Sequence, residues 1–177
     1  MTKSKCRFCG EQLKESFVNL GLSPLSNSFL KKEELKNEEE KYILQAYICN
    51  KCLLVQLEEF ETPKNIFSEY AYFSSYSKTW LEHAKKYCKL MIKKFGLNES
   101  NQVIEIASND GYLLQFFKDK NIPVLGIEPA LNIAKIAIEK DIPTISKFFG
   151  IKTANELTKK GISADLVLGN NVLAHVP

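Results

Sequence analysis

Two cysteine pairs of identical spacing, Cys6-Arg7-Phe8-Cys9 and Cys49-Asn50-Lys51-Cys52, constrain this chain more than any other feature. A C-x-x-C spacing lets one tight turn aim two thiolates at the same point. Two such turns close a tetrahedral shell of four sulfurs around Zn²⁺. A closed shell leaves no position for water, so a zinc held this way builds structure and does no chemistry. Cys6, Cys9, Cys49 and Cys52 are therefore read as the ligands of one structural zinc. A redox C-x-x-C needs only one pair, in a thioredoxin-like setting. Disulfides need an oxidising compartment, and the opening residues 1–5 lead into no apolar run of the kind a signal peptide has. The expected setting is a reducing cytoplasm. Cys88 stands apart in a lysine-rich stretch and reads as a buried thiol on an apolar face.

The chain has 177 residues with 24 basic and 21 acidic side chains, a net charge of +3. That balance makes no electrostatic case for nucleic acid or for an anionic membrane surface. No apolar run approaches the roughly 20 residues needed to span a bilayer. Residues 1–62 read as a zinc-binding domain. Within it, 21–30 is a turn-rich loop, 31–41 a solvated charge run, and 42–48 and 53–57 strands on either side of the second cysteine pair. Residues 63–98 read as an aromatic and serine-rich segment followed by a helical linker. Residues 67–77 hold three tyrosines, two phenylalanines and four serines. Core packing explains the rings but not the serines, whereas a polar pocket lined by hydroxyls on rigid rings explains both; the residue types leave the two readings even. Residues 78–95 form an amphipathic helix with Leu81, Ala84, Cys88, Met91, Ile92 and Phe95 on one face, ended by Gly96. His83 on that helix reads as structural.

From residue 99 the pattern alternates strands and helices. Strands are expected at 103–107, 124–128, 142–146 and 164–169, with helices at 112–120, from Pro129 to 140, and at 151–160. Such alternation with short connections implies an α/β fold with a parallel, doubly wound, Rossmann-like sheet. Ligands of these sheets bind beyond the carboxyl ends of the strands, at the switch point. The first strand runs out through Glu105-Ile106-Ala107-Ser108-Asn109-Asp110-Gly111, and the second ends at Glu128 and Pro129. An acid about 20 positions after the first loop suits a ribose diol. A pyrophosphate needs a glycine-rich turn at a helix start, yet this loop has a single glycine and places Asp110 where phosphates would sit. S-adenosylmethionine (SAM) has no phosphate and carries an ammonium and a sulfonium, so an Asn-Asp loop suits it better. The fourth strand leads into Asn170, Asn171 and His175, where a substrate would meet the cofactor.

The ordered set of both cysteine pairs, Tyr70-Ala71-Tyr72-Phe73-Ser74-Ser75, residues 105–111 and residues 170–177 resembles SAM-dependent sugar C-methyltransferases. The resemblance implies a zinc-binding N-terminal domain, a SAM domain and a further C-terminal domain. It also implies methyl transfer to a carbon next to the ketone of a dTDP-keto-deoxysugar by a monomeric enzyme. By motif, Glu105, Ala107, Ser108, Asn109, Asp110, Gly111, Glu128, Pro129, Asn170 and Asn171 are expected around SAM, with Glu128 on the ribose. Tyr70, Tyr72 and His175 are expected to face the sugar. The sequence departs from the family at Ala107, where glycine is commoner; alanine is expected to be tolerated. Members of the family are longer and place a histidine base beyond residue 177. These residues are thus expected to be the N-terminal part of such an enzyme and not to turn over a keto sugar alone. The competing readings are an inactive fragment and a zinc-ribbon module that binds protein.

Overall fold

A computed structural model describes residues 4–68 and 70–173. They divide into two compact units, one ending at Thr62 and one beginning at Pro63.

The first unit is a three-stranded antiparallel sheet in the order β1 (Glu15–Ser23), β2 (Tyr42–Ile48), β3 (Val55–Leu57). It carries one cysteine pair before β1 and the other between β2 and β3. Its buried centre consists of Cys6, Leu13, Tyr47 and Cys49, with Cys9 and Cys52 packed against them. So small an apolar core is typical of a domain that depends on a metal. β1 takes in Gly21 to Ser23, which the sequence places in a loop. The register slips between Asn19 and Leu22, and Gly21 has a φ of 81°. This is the irregularity for which a strand admits glycine. Leu53 and Leu54 lie outside β3; Leu53 turns the chain back with a φ of 64°.

The second unit contains a four-stranded, wholly parallel sheet. Its strands are β4 (Val103–Ile106), β5 (Val124–Ile127), β6 (Thr144–Ile145) and β7 (Leu166–Leu168), in the spatial order β6-β5-β4-β7. Among the described residues five α-helices belong to it: α1 (Pro63–Phe67), α2 (Lys78–Phe95), α3 (Leu114–Lys118), α4 (Leu131–Glu139) and α5 (Ile151–Lys159). One apolar layer joins Ala84 and Cys88 of α2 and Leu114 and Phe117 of α3 to Val103 and Val124. A second joins Leu157 of α5 to Ile104 and Ile127. Helices thus cover the sheet on both faces, the arrangement a parallel sheet requires.

α2 is capped by Ser77, whose hydroxyl accepts from the Trp80 amide, and ends at Gly96 with a φ of 63°. Trp80 stacks on Tyr112, with ring centroids 6.0 Å apart. Phe95, expected on the buried face of α2, is exposed at the helix's last residue. Pro129 precedes α4 and does not lie in its first turn, since Ala130 is the cap residue. Strand order reverses between β4 and β7. The carboxyl ends of these two strands therefore flank the switch point, where open parallel sheets bind ligands.

Candidate metal centre and cofactor site

The two cysteine turns are built alike. The Gly10 amide donates to the Cys6 carbonyl (2.9 Å) and the Leu53 amide to the Cys49 carbonyl (2.9 Å). The residue after each pair is left-handed, Gly10 at a φ of 74° and Leu53 at 64°. The Sγ atoms of Cys6 and Cys52 lie 3.5 Å apart, as do those of Cys9 and Cys49, and all four lie within 4.8 Å of one another. Sulfurs bound to zinc at about 2.3 Å stand about 3.8 Å apart at the corners of a tetrahedron. The four cysteines fit that ion. Gln56, a residue the sequence reading passed over, holds the shell from behind. Its Nε2 donates to Cys6 Sγ (3.2 Å) while its Oε1 accepts from the Arg7 amide (2.9 Å). The Gln56 amide and the backbone N–H groups of Cys9 and Phe8 draw the Cys6 thiol down to about 6, whereas, against the pull of the Glu11 and Leu54 amides, burial and neighbouring thiols raise Cys9 and Cys52. Backbone N–H groups of Cys52 and Lys51 lower Cys49 in the same sense as Cys6.

At the switch point, the chain leaving β4 makes a compact loop. Ala107 and Asn109 take left-handed conformations with φ of 52° and 49°, and Gly111 has a φ of 76°. Alternate left-handed residues fold the loop tightly against the strand ends. Glu128, at the end of β5, holds it: Oε2 accepts from the Asn109 amide (2.9 Å) and Oε1 from the Ala130 amide (2.9 Å). Asn170, beyond β7, donates to Glu105 Oε1 (3.2 Å) and ties the two sides of the switch point together. Glu105 is wholly buried and Glu128 is 5% exposed. Burial pushes the Glu105 carboxyl up to about 8, with Asn170 and Tyr112 opposing and the charges of Glu128 and Asp110 adding to the rise. Burial likewise raises Glu128, against the pull of the Ala130 and Asn109 amides.

Asp110 is 2% exposed, and its Oδ2 pairs with Lys140 Nζ at 3.2 Å. Three buried polar atoms of β4 and this loop have no hydrogen-bond partner among the described residues: Glu105 Oε2, Ser108 Oγ and Asp110 Oδ1. A buried polar atom left without a partner is costly, so clustered orphans mark where something polar is missing. Two of the three are carboxyl oxygens. Glu105, Asp110 and Glu128 line this spot with three buried carboxyl groups, of which Glu105 keeps its proton near neutrality and Asp110 is paired with Lys140. Such a lining of carbonyl and carboxyl acceptors suits an ammonium or sulfonium better than a pyrophosphate.

The aromatic and serine-rich segment lies on this loop. Asn109 Oδ1 accepts from the Ser74 amide (2.9 Å) and its Nδ2 donates to the Tyr72 carbonyl (3.1 Å). Asn132, in α4, exchanges two hydrogen bonds with the Tyr70 backbone. Lys140 Nζ donates to Ser75 Oγ (3.1 Å). Among these serines, Ser74 meets the loop through its backbone amide, the Ser75 hydroxyl meets Lys140 and the Ser77 hydroxyl caps α2. The Tyr70 ring meets Phe67 edge-on at 5.8 Å; Tyr72 is about half exposed.

Of the residues expected around a cofactor, Glu105 is bonded to Asn170, Asn109 to Glu128, and Asp110 to Lys140. Ser108 lies with its Oγ against Gly126. Gly111 packs on Ile142. Ala107 opens the loop, Pro129 accepts from Ser146 through its carbonyl (3.3 Å), and Asn171 is left-handed and exposed. His175 lies outside the described residues. Lys140 and Asn132 were missed, since a lysine at a helix end and an asparagine inside one carry no motif.

Residues 6–67 match the protein-family model Methyltransf_13, described as "Putative zinc binding domain". Over 173 residues the chain is 30% identical to C-methyltransferase NovU of Streptomyces niveus, covering 98% of this chain and 41% of NovU. The chain therefore spans less than half the length of that relative. Among solved structures, it is similar to a SAM-dependent methyltransferase from Archaeoglobus fulgidus, at 20% identity and a TM-score of 0.31 over 38% of this chain and 29% of that one. It is also similar to the YcgJ protein of Bacillus subtilis, at 15% identity and a TM-score of 0.27 over 50% of this chain and 30% of that one. Overlaps so small bear no weight for function. No described helix is long and apolar enough to cross a membrane.

Proposed function

We propose that this chain carries the zinc-binding and SAM-binding parts of a C-methyltransferase acting next to the ketone of a nucleotide-activated keto-deoxysugar. The observation that supports it most is the acidic loop at the switch point, with Glu105 Oε2 and Asp110 Oδ1 buried and without partners. Those oxygens suit the cationic end of SAM and are wrong for a dinucleotide phosphate. Glu128 is the ribose acid: each of its oxygens accepts one backbone N–H and retains lone pairs for a diol. Asn170 and Asn171 border the same end of the sheet. SAM, when bound, supplies an electrophilic methyl group.

The chain's own residues provide the surroundings for that transfer. The Asp110 carboxylate, with the protonated Glu105 carboxyl beside it, fixes the ligand's charged end, and Glu128 fixes its ribose. Tyr70 and Tyr72, on the segment tied to the loop, and His175 beyond β7 are assigned to the sugar side. Phenol and imidazole donors there stabilise the enolate oxygen that forms when the proton next to the ketone is removed. Removal of that proton is assigned to no described residue. The zinc, held by Cys6, Cys9, Cys49 and Cys52, is structural.

The test is label transfer. The complete gene product, supplied with methyl-labelled SAM and a dTDP-keto-deoxysugar, is expected to place label on sugar carbon. Tyr70→Phe, Tyr72→Phe and His175→Ala are expected to slow transfer more than they weaken SAM binding. Label that never reaches the sugar overturns the substrate assignment. Equal rates in all three variants remove these side chains from the site.

A further inference from the structure

We propose that Asn109 and Lys140 are positioning residues that couple residues 70–76 to occupancy of the loop, so that ligand at Glu128 and Asp110 also seats the aromatic wall. This rests on the loop being the SAM site.

Asn109 is assigned to the cofactor by motif, yet its side chain is engaged elsewhere. Its Oδ1 and Nδ2 hold the Ser74 amide and the Tyr72 carbonyl, while its backbone amide is held by Glu128 Oε2. One residue therefore joins the ribose acid on one side to the wall on the other. Its left-handed conformation, with a φ of 49°, lets backbone and side chain point opposite ways, and asparagine adopts it at low cost.

Lys140 makes the second tie. An ammonium has three donors, and all three have acceptors here: Ser75 Oγ (3.1 Å), the Asp110 carbonyl (3.1 Å) and Asp110 Oδ2 (3.2 Å). The same charge that offsets the buried Asp110 carboxylate thus clamps Ser75. A cation arriving at the orphaned Asp110 Oδ1 shifts the balance at the clamp as well as at the loop. Coupling of this kind is reciprocal: whatever loosens the wall weakens the ligand by the same factor. Asn109 and Lys140 need not touch the ligand to affect it.

The experiment is amide hydrogen exchange on the full chain, with and without S-adenosylhomocysteine, beside calorimetric titration of the same ligand. Without ligand, Asn109→Ala and Lys140→Met are expected to speed exchange across 70–76 by about tenfold, the effect of losing one or two hydrogen bonds. Ile104 and Ile127, in β4 and β5, are expected to exchange as before. Lys140→Arg, which keeps charge and donors, is expected to restore the slow rate. Ligand is expected to slow the 70–76 amides in wild type and to do so far less in Asn109→Ala. Unchanged 70–76 exchange in both variants overturns the proposal, as does equal acceleration of β4 and β5, which denotes general loosening. Ligand that binds by calorimetry but leaves 70–76 unchanged overturns the coupling alone. Absence of any binding overturns the SAM reading and the coupling with it.

Discussion

Ala107 and Leu53 hold left-handed backbone, with φ of 52° and 64°, at a cost of about 1–2 kcal/mol for an L-residue with a side chain. Glycine removes that cost but gives some back through a freer unfolded chain. Ala107→Gly is thus expected to stabilise the second unit by about 1 kcal/mol, read by urea unfolding followed on Trp80, the chain's one tryptophan. A loss of stability contradicts the loop conformation drawn for residue 107. Glu105 sets a pH dependence. Its carboxyl is raised from 4.5 to about 8, so between those values the folded state keeps a proton that the unfolded state has released. Its stabilising effect is fully present below the lower value and is lost as pH rises through the upper one, at up to about 1.4 kcal/mol per pH unit. Glu105→Gln, which keeps an acceptor for Asn170, is expected to flatten that decline and to gain on wild type as pH rises. Parallel curves for the two proteins contradict it. The cysteine pairs and the loop acids were legible in the sequence because spacing and charge are local. Gln56, Asn109's tie to Tyr72 and Ser74, and Lys140's to Ser75 were not, because each partner lies tens of residues away.

Elements with a clean period were legible and those without were not. α2 was read to its ends because its apolar repeat and its Gly96 stop agree; the Ser77 cap is a feature the sequence reading did not use. The parallel strands were read because short β-branched runs alternate with helices. β1 was missed: its register slips break the alternation, and Gly21 looks like a loop residue. The sheet also depends on one close approach that composition cannot reveal. A Cβ on Gly126, in β5, would stand 2.4 Å from Ser108 Oγ and 3.0 Å from Thr144 Oγ1. Gly126→Ala must push the loop off the strand or spread β5 from β6. It is expected to destabilise the second unit by about 1–3 kcal/mol and to weaken any ligand of the loop. Thermal unfolding followed on Trp80 reads the first effect and titration the second. An unchanged melting temperature contradicts this packing.

At the scale of the whole chain, the zinc unit and the sheet unit have separate cores. Structural zinc contributes folding energy outright. A strong chelator is therefore expected to unfold residues 1–62, seen as faster amide exchange across β1 to β3, while Trp80 fluorescence in the second unit holds. Loss of both signals together contradicts the separation. The central claim concerns the second unit: that its acidic switch-point loop is made for SAM and not for a dinucleotide. The most direct measurement is calorimetric titration of one protein preparation with SAM and with NAD, repeated on Glu128→Ala. The account predicts saturable binding of SAM, at least tenfold weaker binding in the variant, as expected for loss of a charged hydrogen-bonding partner, and no binding of NAD. NAD binding as well as SAM, or SAM binding the variant as tightly as wild type, would contradict it.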